Sequence, residues 1–211
     1  MILQDLEDFL TSNSVDYVTK ECPKGIIFND EIDGEKIFFI VEGTILASIL
    51  YKEREILSPY FYQKNNFLGL IFLFEDYQLI PHIQLFSPAD NLKILEIDVE
   101  QLKAALAKDP AFHVLLLEEH LNVFRYVYTI SVILTCGGTK AAFAYLLYIN
   151  SIDQKVFFFK YTDFANILNI SSTMLYKLSN KLEEEGIISK NLKYVVILDT
   201  EKLRECFENI L

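Results

Sequence analysis

The spacing of apolar residues changes along this chain from helical to strand-like and back to helical. Near the start, Ile2, Leu6 and Phe9 recur at helical intervals, which predicts a short helix over residues 2–10. Between residues 24 and 99, short runs of β-branched and aromatic residues alternate with turn signals such as Ser58–Pro59, a pattern typical of a small barrel or jelly roll. The predicted strands cover residues 26–28, 36–41, 44–51, 56–57, 83–86 and 93–97.

A long helix is predicted after these strands. Asp98 is a candidate N-cap for a helix over about residues 99–107. Asp109 and Pro110 begin a second helix, which meets no helix breaker before Gly137 and is about 40 Å long at 1.5 Å per residue. Its apolar residues form two stripes, so it is either the core helix of a monomer or is covered by the strands on one side and a second subunit on the other. The stripe predicted to contact that second subunit consists of Phe112, Leu116, Val123, Tyr126, Ile130 and Ile133. The other stripe consists of Leu115, Phe124, Val127 and Leu134.

The last third of the chain has the spacing of a helix-turn-helix, preceded by a helix over residues 139–150 and a strand over 156–159. A helix over residues 162–168 and one over 173–185 flank the turn Asn169–Ser171, in which Asn169 can adopt a left-handed conformation and Ser171 or Ser172 caps the second helix. Gly186 stops that helix. Residues 187–189 and 194–198 then form a hairpin, the wing, around residues 190–193.

The N-terminal turn of the second helix meets base edges in such a motif, so its polar side chains are candidate DNA contacts. Serine, threonine and asparagine hydrogen-bond to bases or phosphates, and lysine binds guanine or phosphate. The candidates are Ser171, Ser172, Thr173, Tyr176, Lys177 and Asn180, with Lys181, Lys190 and Lys193 as positioning contacts. Arginine is missing from this surface, which keeps a protein-binding winged helix open as the alternative.

Net charge bears on that choice. The 211 residues carry a formal charge of −11, and an acidic chain argues against a nucleic-acid partner because phosphate binding needs clustered lysine and arginine. Residues 139–211, however, contain nine basic and nine acidic residues, which leaves 10 basic and 21 acidic residues in 1–138. The objection therefore weakens, and the shift in charge supports a domain boundary near Gly137–Gly138.

The residues that carry metal or catalytic chemistry are sparse. Cys22, Cys136 and Cys206 are far apart and form neither a zinc motif nor a disulfide framework, which is typical of a reducing cytosol. His82 is the only histidine among the predicted strands, and no nucleophile triad or phosphate loop is present, so we expect no catalysis, no cofactor and no metal. The acidic start differs from a signal peptide and the longest apolar stretch, residues 37–51, is too short to span a bilayer, so we expect a cytoplasmic protein that does not contact membranes.

Three segments, in order, carry motifs of one family. Residues 37–44 read as an apolar strand followed by a "V-x-G" turn, and residues 66–74 resemble the pattern D-F-(I/L)-G-E-x-x-L-F. Residues 164–189 have a helix-turn-helix pattern that ends in L-E-x-x-G-(I/L)-I. Together these segments resemble the Crp/Fnr superfamily of bacterial transcription regulators over nearly the whole chain.

The resemblance implies an α+β fold in three regions. An N-terminal antiparallel β-roll or jelly roll of the cyclic-nucleotide-binding type covers residues 1–108, a long dimerisation helix covers 109–137, and a winged helix-turn-helix covers 138–211. The implied function is that of a homodimeric, sequence-specific DNA-binding transcription regulator, with double-stranded DNA, RNA polymerase and an unidentified small-molecule effector as partners. The alternative is a sensor or protein-interaction module of the same fold that has lost or weakened DNA binding.

The effector site departs from the family pattern. Members that bind cyclic nucleotides have a Glu after the Gly for the ribose and an Arg-Ser pair for the phosphate, whereas here Leu70 follows Gly69 and the pair falls at Ile80–Pro81. Isoleucine cannot neutralise a phosphate, and proline has no N–H to donate. We therefore expect no cAMP or cGMP binding in the family's mode. The resulting degenerate effector pocket consists of Gly69, Leu70, Phe72, Leu79, Ile80 and Pro81.

Overall fold

A computed structural model describes residues 3–29, 35–51, 54–73, 82–158 and 160–210 of the chain. The chain divides into two compact units, one formed by residues 1–55 and 61–124 and the other by residues 56–60 and 125–211. This division falls inside the long helix, whereas the boundaries drawn from the sequence follow residues 108 and 137. The three-region organisation stays a prediction.

The first unit contains most of the strands. Its helices are α1 (Leu3–Ser12), α2 (Val99–Leu106) and the first half of α3 (Pro110–Cys136), which continues into the second unit, and a short 3₁₀ turn covers Leu70–Leu73. The strands are β1 (Tyr17–Cys22), β2 (Gly25–Asn29), β3 (Ile37–Glu42), β4 (Thr44–Tyr51), β5 (Arg54–Gln63), β6 (Phe67–Leu68), β7 (His82–Ser87) and β8 (Leu92–Ile97). Of β5, residues 56–60 are grouped with the second unit.

These strands form two four-stranded sheets. One has the order β1-β8-β3-β6 and the other β2-β7-β4-β5. The pairs β1–β8, β3–β8, β3–β6, β2–β7 and β4–β7 are all antiparallel. An antiparallel two-sheet arrangement agrees with the many short strands that the sequence predicts.

Strand β3 shows why the core of this unit has two layers. Successive side chains of a strand point to opposite faces, and in β3 both faces are apolar. Ile37 and Phe39 pack in a cluster with α1, α2 and the start of α3, including Phe112. Phe38 and Ile40 pack in a second cluster with side chains of the other sheet. The first sheet is therefore covered on both faces, which explains the uninterrupted apolar run.

Two strands differ from the sequence-based expectation. Strand β1 was not predicted, because its polar residues lie on an exposed sheet edge and carry no apolar alternation. The turn predicted at Ser58–Pro59 is wrong, since β5 continues through both residues to Gln63. Proline is tolerated there because β5 is the last strand of its sheet and has one side that needs no ladder N–H.

The caps of the two central helices confirm the predicted starts. The Asp98 side chain accepts a hydrogen bond from the backbone N–H of Gln101, 2.8 Å away, at the start of α2. The Asp109 side chain accepts one from the backbone N–H of Phe112, 3.0 Å away, in the first turn of α3. Helix α3 ends at Cys136, as expected from Gly137.

The second unit is built around α4 (Gly138–Ile149), whose residues Ala141–Leu147 are all buried. It also contains β9 (Lys155–Phe157), α5 (Asp163–Ile167), α6 (Ser172–Glu184), β10 (Ile188–Lys190), β11 (Tyr194–Ile197), α7 (Thr200–Glu205) and a 3₁₀ turn at Glu208–Ile210. Strands β10, β11 and β9 form an antiparallel sheet in that order. The ring of Phe143 on α4 meets that of Phe164 on α5 edge to face at 5.8 Å.

Candidate nucleic-acid interface

The turn between α5 and α6 has the geometry that its sequence predicts. Asn169 has φ = 51°, in the left-handed region, and the N–H of Ile170 donates to the carbonyl oxygen of Ala165 at 3.0 Å. The Ser171 hydroxyl accepts a hydrogen bond from the backbone N–H of Met174 at 3.2 Å. Ser171 is therefore the N-cap of α6, and its side chain is occupied by that role.

One face of α6 is buried and the opposite face is exposed. Leu175, Leu178 and Leu182 lie in the core as predicted, and the small Ala165 on α5 is buried with them. On the opposite face Ser172, Thr173 and Lys177 are exposed. The first turns of α6 thus present hydroxyl and ammonium groups to solvent, which are groups that hydrogen-bond to base edges and phosphates.

Tyr176 is held by an aromatic cluster that sequence reasoning missed. Its ring lies 5.4 Å from that of Tyr161, and Tyr161 in turn meets Phe158 at 5.4 Å and Phe164 at 5.7 Å. Burial raises the pKa of Tyr161 to about 12, so its hydroxyl stays neutral at physiological pH. The cluster orients Tyr176, whose side chain remains half exposed on the α6 surface. The aromatic density of residues 157–164 in the sequence was the available signal for it.

A clamp of three polar side chains joins α6 to the hairpin β10–β11. Lys190 forms an ion pair with Glu183 at 2.9 Å, and its ammonium also donates to the side-chain oxygen of Asn180. The backbone N–H of Lys190 donates to Glu183 at 2.9 Å. This backbone hydrogen bond is the largest cause of the lowered pKa of the Glu183 carboxyl, and the Lys190 ammonium adds to it. Asn180 and Lys190, both assigned to DNA from the sequence, are used in this structure to hold the hairpin against α6.

The remaining lysines assigned to DNA are more available. Lys177, Lys181 and Lys193 are exposed, and none of the three forms an ion pair with another described residue. Glu183 and Glu184 follow Lys177 and Lys181 on α6, and Glu185 comes directly after the helix. The available positive charge of this surface therefore lies on the middle turns of α6 and at the tip of the hairpin.

A groove of about 650 Å³ lies between α6 and the hairpin. Tyr176 lines it from the side of the helix, Asn191 and Leu192 line it from the hairpin, and Lys160 and Tyr161 line it from the segment before α5. Tyr176 of α6 and the hairpin tip therefore line one common concave surface.

The sequence matches no protein-family model, and no significant relative is found among curated proteins. Solved structures are similar to it in fold over nearly the whole chain. A transcriptional regulator described as of the Crp/Fnr family, from Eubacterium rectale, is 17% identical with a TM-score of 0.69, covering 98% of this chain and 95% of the other. A mutant of CooA from Carboxydothermus hydrogenoformans is 15% identical with a TM-score of 0.67, covering 97% and 95%. A transcriptional regulator of the CRP family from Thermus thermophilus is 16% identical with a TM-score of 0.65, covering 90% and 95%.

This chain has the Crp/Fnr fold. The likeness extends over both units, so the strand-rich unit and the helix–hairpin unit occur together in the same order in each of these proteins. The resemblance to this family that the motif order predicts is thus confirmed, together with a mixed fold of antiparallel sheets and several helices. Identities of 15–17% establish the fold and leave the ligands of this chain to be argued from its own residues.

Three of the residues assigned to a degenerate effector pocket, Gly69, Leu70 and Phe72, lie in the described part of the chain. Gly69 has φ = +78°, and a Cβ there would overlap the carbonyl oxygen of Lys36, so only glycine fits. Leu70 and Phe72 are buried in the cluster that includes α1 and α2. The other members assigned to the pocket, Leu79, Ile80 and Pro81, lie outside the described residues.

Most of the α3 residues that the sequence predicts to contact a second subunit are buried within the single chain. Phe112 and Leu116 belong to the core of the first unit, and Ile130 and Ile133 are also buried in the single chain. Val123 and Tyr126 are partly exposed, and the Tyr126 ring stacks on Tyr60 at 5.3 Å. Four of the six assigned residues are therefore already covered. The apolar residues of α3 that stay exposed are a different set, consisting of Val114, Leu115, Leu117, Leu121, Phe124 and Tyr128.

Metal-ligating groups are scattered. Among the residues that the structure describes, no three or more His, Cys, Asp or Glu side chains lie together in a way that could hold a metal ion. His120 is partly buried, and this burial lowers its pKa. Within the same described ranges, no helix is both long and apolar enough to cross a membrane.

Proposed function

We propose that this chain is a homodimeric, sequence-specific DNA-binding transcription regulator of the Crp/Fnr type. The observation that carries the proposal is the start of α6, which exposes Ser172, Thr173 and Lys177 while its other face is buried. In this proposal α5 and α6 are a helix-turn-helix, and α6 enters the major groove with its N-terminal turn at the base edges. The names of the similar structures, all described above, support the same class of function.

The contacts divide into reading and positioning roles. Thr173 and Lys177 point from the first two turns of α6, where side chains reach base edges. Lys181 and Lys193 bind phosphates and fix the orientation of the domain. Asn180 and Lys190 act indirectly, because they join the hairpin to α6 through Glu183.

A second copy of the chain is proposed to pack against the exposed apolar face of α3. Its residues follow the alternating steps of three and four that define positions a and d of a coiled coil. The seam comprises Val114, Leu117, Leu121, Phe124 and Tyr128, with exposed fractions from 44% to 64%. Further along the helix the same steps reach Ser131 and Thr135, whose hydroxyls donate to backbone carbonyls of their own helix. The proposed interface is therefore apolar over about two heptads.

The effector of this regulator is proposed not to be cAMP or cGMP. Leu70 is buried in the core where cyclic-nucleotide binders of the family have a carboxylate, and no cation stands at residues 80–81 in the sequence. Isothermal titration calorimetry with cAMP should show no heat of binding. Micromolar affinity would contradict this part of the proposal.

DNA binding can be tested with duplexes selected by the protein from a random library. Fluorescence anisotropy should show affinity that falls as salt rises, with a log–log slope set by the number of phosphates contacted. Lys177→Ala should weaken binding, whereas Lys155→Ala, on β9 beside Tyr194, is the matched control and should not. No binding to any duplex at low salt would contradict the proposal.

One observation favours the alternative of a protein-interaction module with weakened DNA binding. Lys190 is paired with Glu183 within the domain, so one of the few cations near the DNA surface is already neutralised. In that case Lys177→Ala would leave gene regulation in cells unchanged. Loss of regulation in that variant would decide for DNA binding.

A further inference from the structure

Leu192 is the most exposed large apolar residue of the described chain, at 96% exposure. It lies at the tip of the hairpin β10–β11, between Asn191 and Lys193. Its side chain covers nothing in the single chain and is therefore available to a partner.

The hairpin presents this side chain on a firm support. The N–H of Asn191 donates to the carbonyl oxygen of Tyr194 at 2.9 Å, which leaves Leu192 and Lys193 alone at the tip. Where β10 ends, next to this turn, the Lys190 clamp joins the hairpin to α6. Behind it, the Tyr194 ring packs on that of Phe157 at 5.6 Å. The tip is thus fixed relative to the DNA-reading helix.

The surroundings of Leu192 favour nucleic acid as its partner. Lys193 beside it is exposed and forms no ion pair with any described residue, so the tip carries an apolar side chain next to a free positive charge. Leu192 also lines the groove that Tyr176 of α6 and Lys160 line from the other side. A duplex whose major groove holds α6 would therefore bring a flanking minor groove to the tip.

We propose that Leu192 is a minor-groove wedge: it enters the groove beside each half-site and leans between two base pairs, while Lys193 binds the adjacent phosphate. Apolar side chains inserted in this way partly unstack a base step and bend the duplex toward the major groove. The sequence preference they add follows the deformability of that step, so pyrimidine–purine steps flanking the half-site are favoured. This inference rests on the proposed DNA-binding function.

The test compares Leu192→Ala with Leu198→Ala, an equally conservative change at an exposed leucine just after the same hairpin. The probe is a duplex selected by the unsubstituted protein, labelled at flanking steps with pyrrolo-deoxycytidine, a fluorescent base whose extra ring lies in the major groove. Leu192→Ala should lower affinity about tenfold per half-site, as expected for losing much of a buried leucine, while Leu198→Ala leaves it unchanged. Binding of the unsubstituted protein should raise this fluorescence at one flanking step, and binding of Leu192→Ala should not.

A second probe places the contact in the minor groove. Replacing adenine by 2,6-diaminopurine at the flanking step adds an amino group to the minor groove alone. This change should weaken binding of the unsubstituted protein and have no effect on Leu192→Ala. Affinity and fluorescence that are the same for Leu192→Ala and the unsubstituted protein would overturn the wedge while leaving the proposed function intact.

Two other results would also overturn the wedge. If Leu192→Ala binds and unstacks DNA normally yet loses transcriptional activity in cells, the tip contacts a protein instead. If the unsubstituted protein binds no duplex at low salt, the proposed function fails first and the wedge fails with it.

Discussion

Phe124 gives the sharpest test of the proposed dimer. It is the most exposed residue of the a/d seam on α3, at 64%. An aromatic side chain buries roughly 150–250 Å² when fully covered, so a partner helix would cover about 130 Å² of Phe124 in each chain. At about 25 cal/mol per Å² this corresponds to about 3 kcal/mol per chain and twice that per dimer.

We expect Phe124→Ala to lose about half of that sum, because alanine retains its own methyl group and the neighbouring side chains close in. A loss of about 3 kcal/mol per dimer raises the dimer dissociation constant roughly hundredfold. Sedimentation equilibrium over micromolar concentrations measures it, and circular dichroism confirms that the variant is folded.

The matched control is Leu115→Ala on the same helix. Leu115 is 47% exposed and equally apolar, but it lies one residue after Val114, at position b, outside the seam. Its truncation should leave the dissociation constant within about twofold, since b positions face solvent in a two-stranded coiled coil. Equal effects of Phe124→Ala and Leu115→Ala would refute the a/d register.

Three further predictions concern the clamp, the tight turn and the DNA contacts. Glu183→Gln should free the hairpin from α6, which is measured as faster hydrogen exchange at the Lys190 amide, whereas the control Glu184→Gln should leave that exchange unchanged. Because the pKa of Glu183 is lowered from its ordinary 4.5, the clamp is intact above that pH and is lost as the pH falls through the lowered pKa. Gly69→Ala should destabilise the protein by about 2–4 kcal/mol in urea unfolding, from the positive φ and the backbone overlap; an unchanged midpoint would show that the turn relaxes. Lys181→Ala should reduce the salt slope of DNA binding by about one and leave sequence preference unchanged, as expected for a phosphate contact.

The two helices α5 and α6 and the turn between them could be predicted in detail because their signals are local. Asn169 in the left-handed turn, Ser171 as the cap and Gly186 after the helix each act on the backbone within a few residues. Their chemistry needs no distant partner, so sequence position alone determines it. The starts of α2 and α3 were predictable for the same reason.

The residues whose surroundings differ from the expectation all depend on contacts between distant parts of the chain. Two stripes on α3 are equally apolar in sequence, and only the packing of Phe112 and Leu116 in the core shows which stripe stays exposed. The strict three-and-four spacing that begins at Val114 was the available signal. Lys190 and Asn180 are residue types that commonly contact DNA. Only the structure shows that the Lys190 ammonium pairs with Glu183 and with Asn180, which places both residues in the clamp.

The sequence by itself therefore determined the strand-rich first unit, the two helices joined by the Asn169 turn and the hairpin after them, because these follow from local propensity and residue chemistry. Tertiary structure decided which polar groups of the surface are available and which are already paired. It also decided which face of α3 remains exposed and that Leu192 shares a groove with α6. Burial and pairing are properties of residues brought together by the fold, and the pattern along one chain does not contain them.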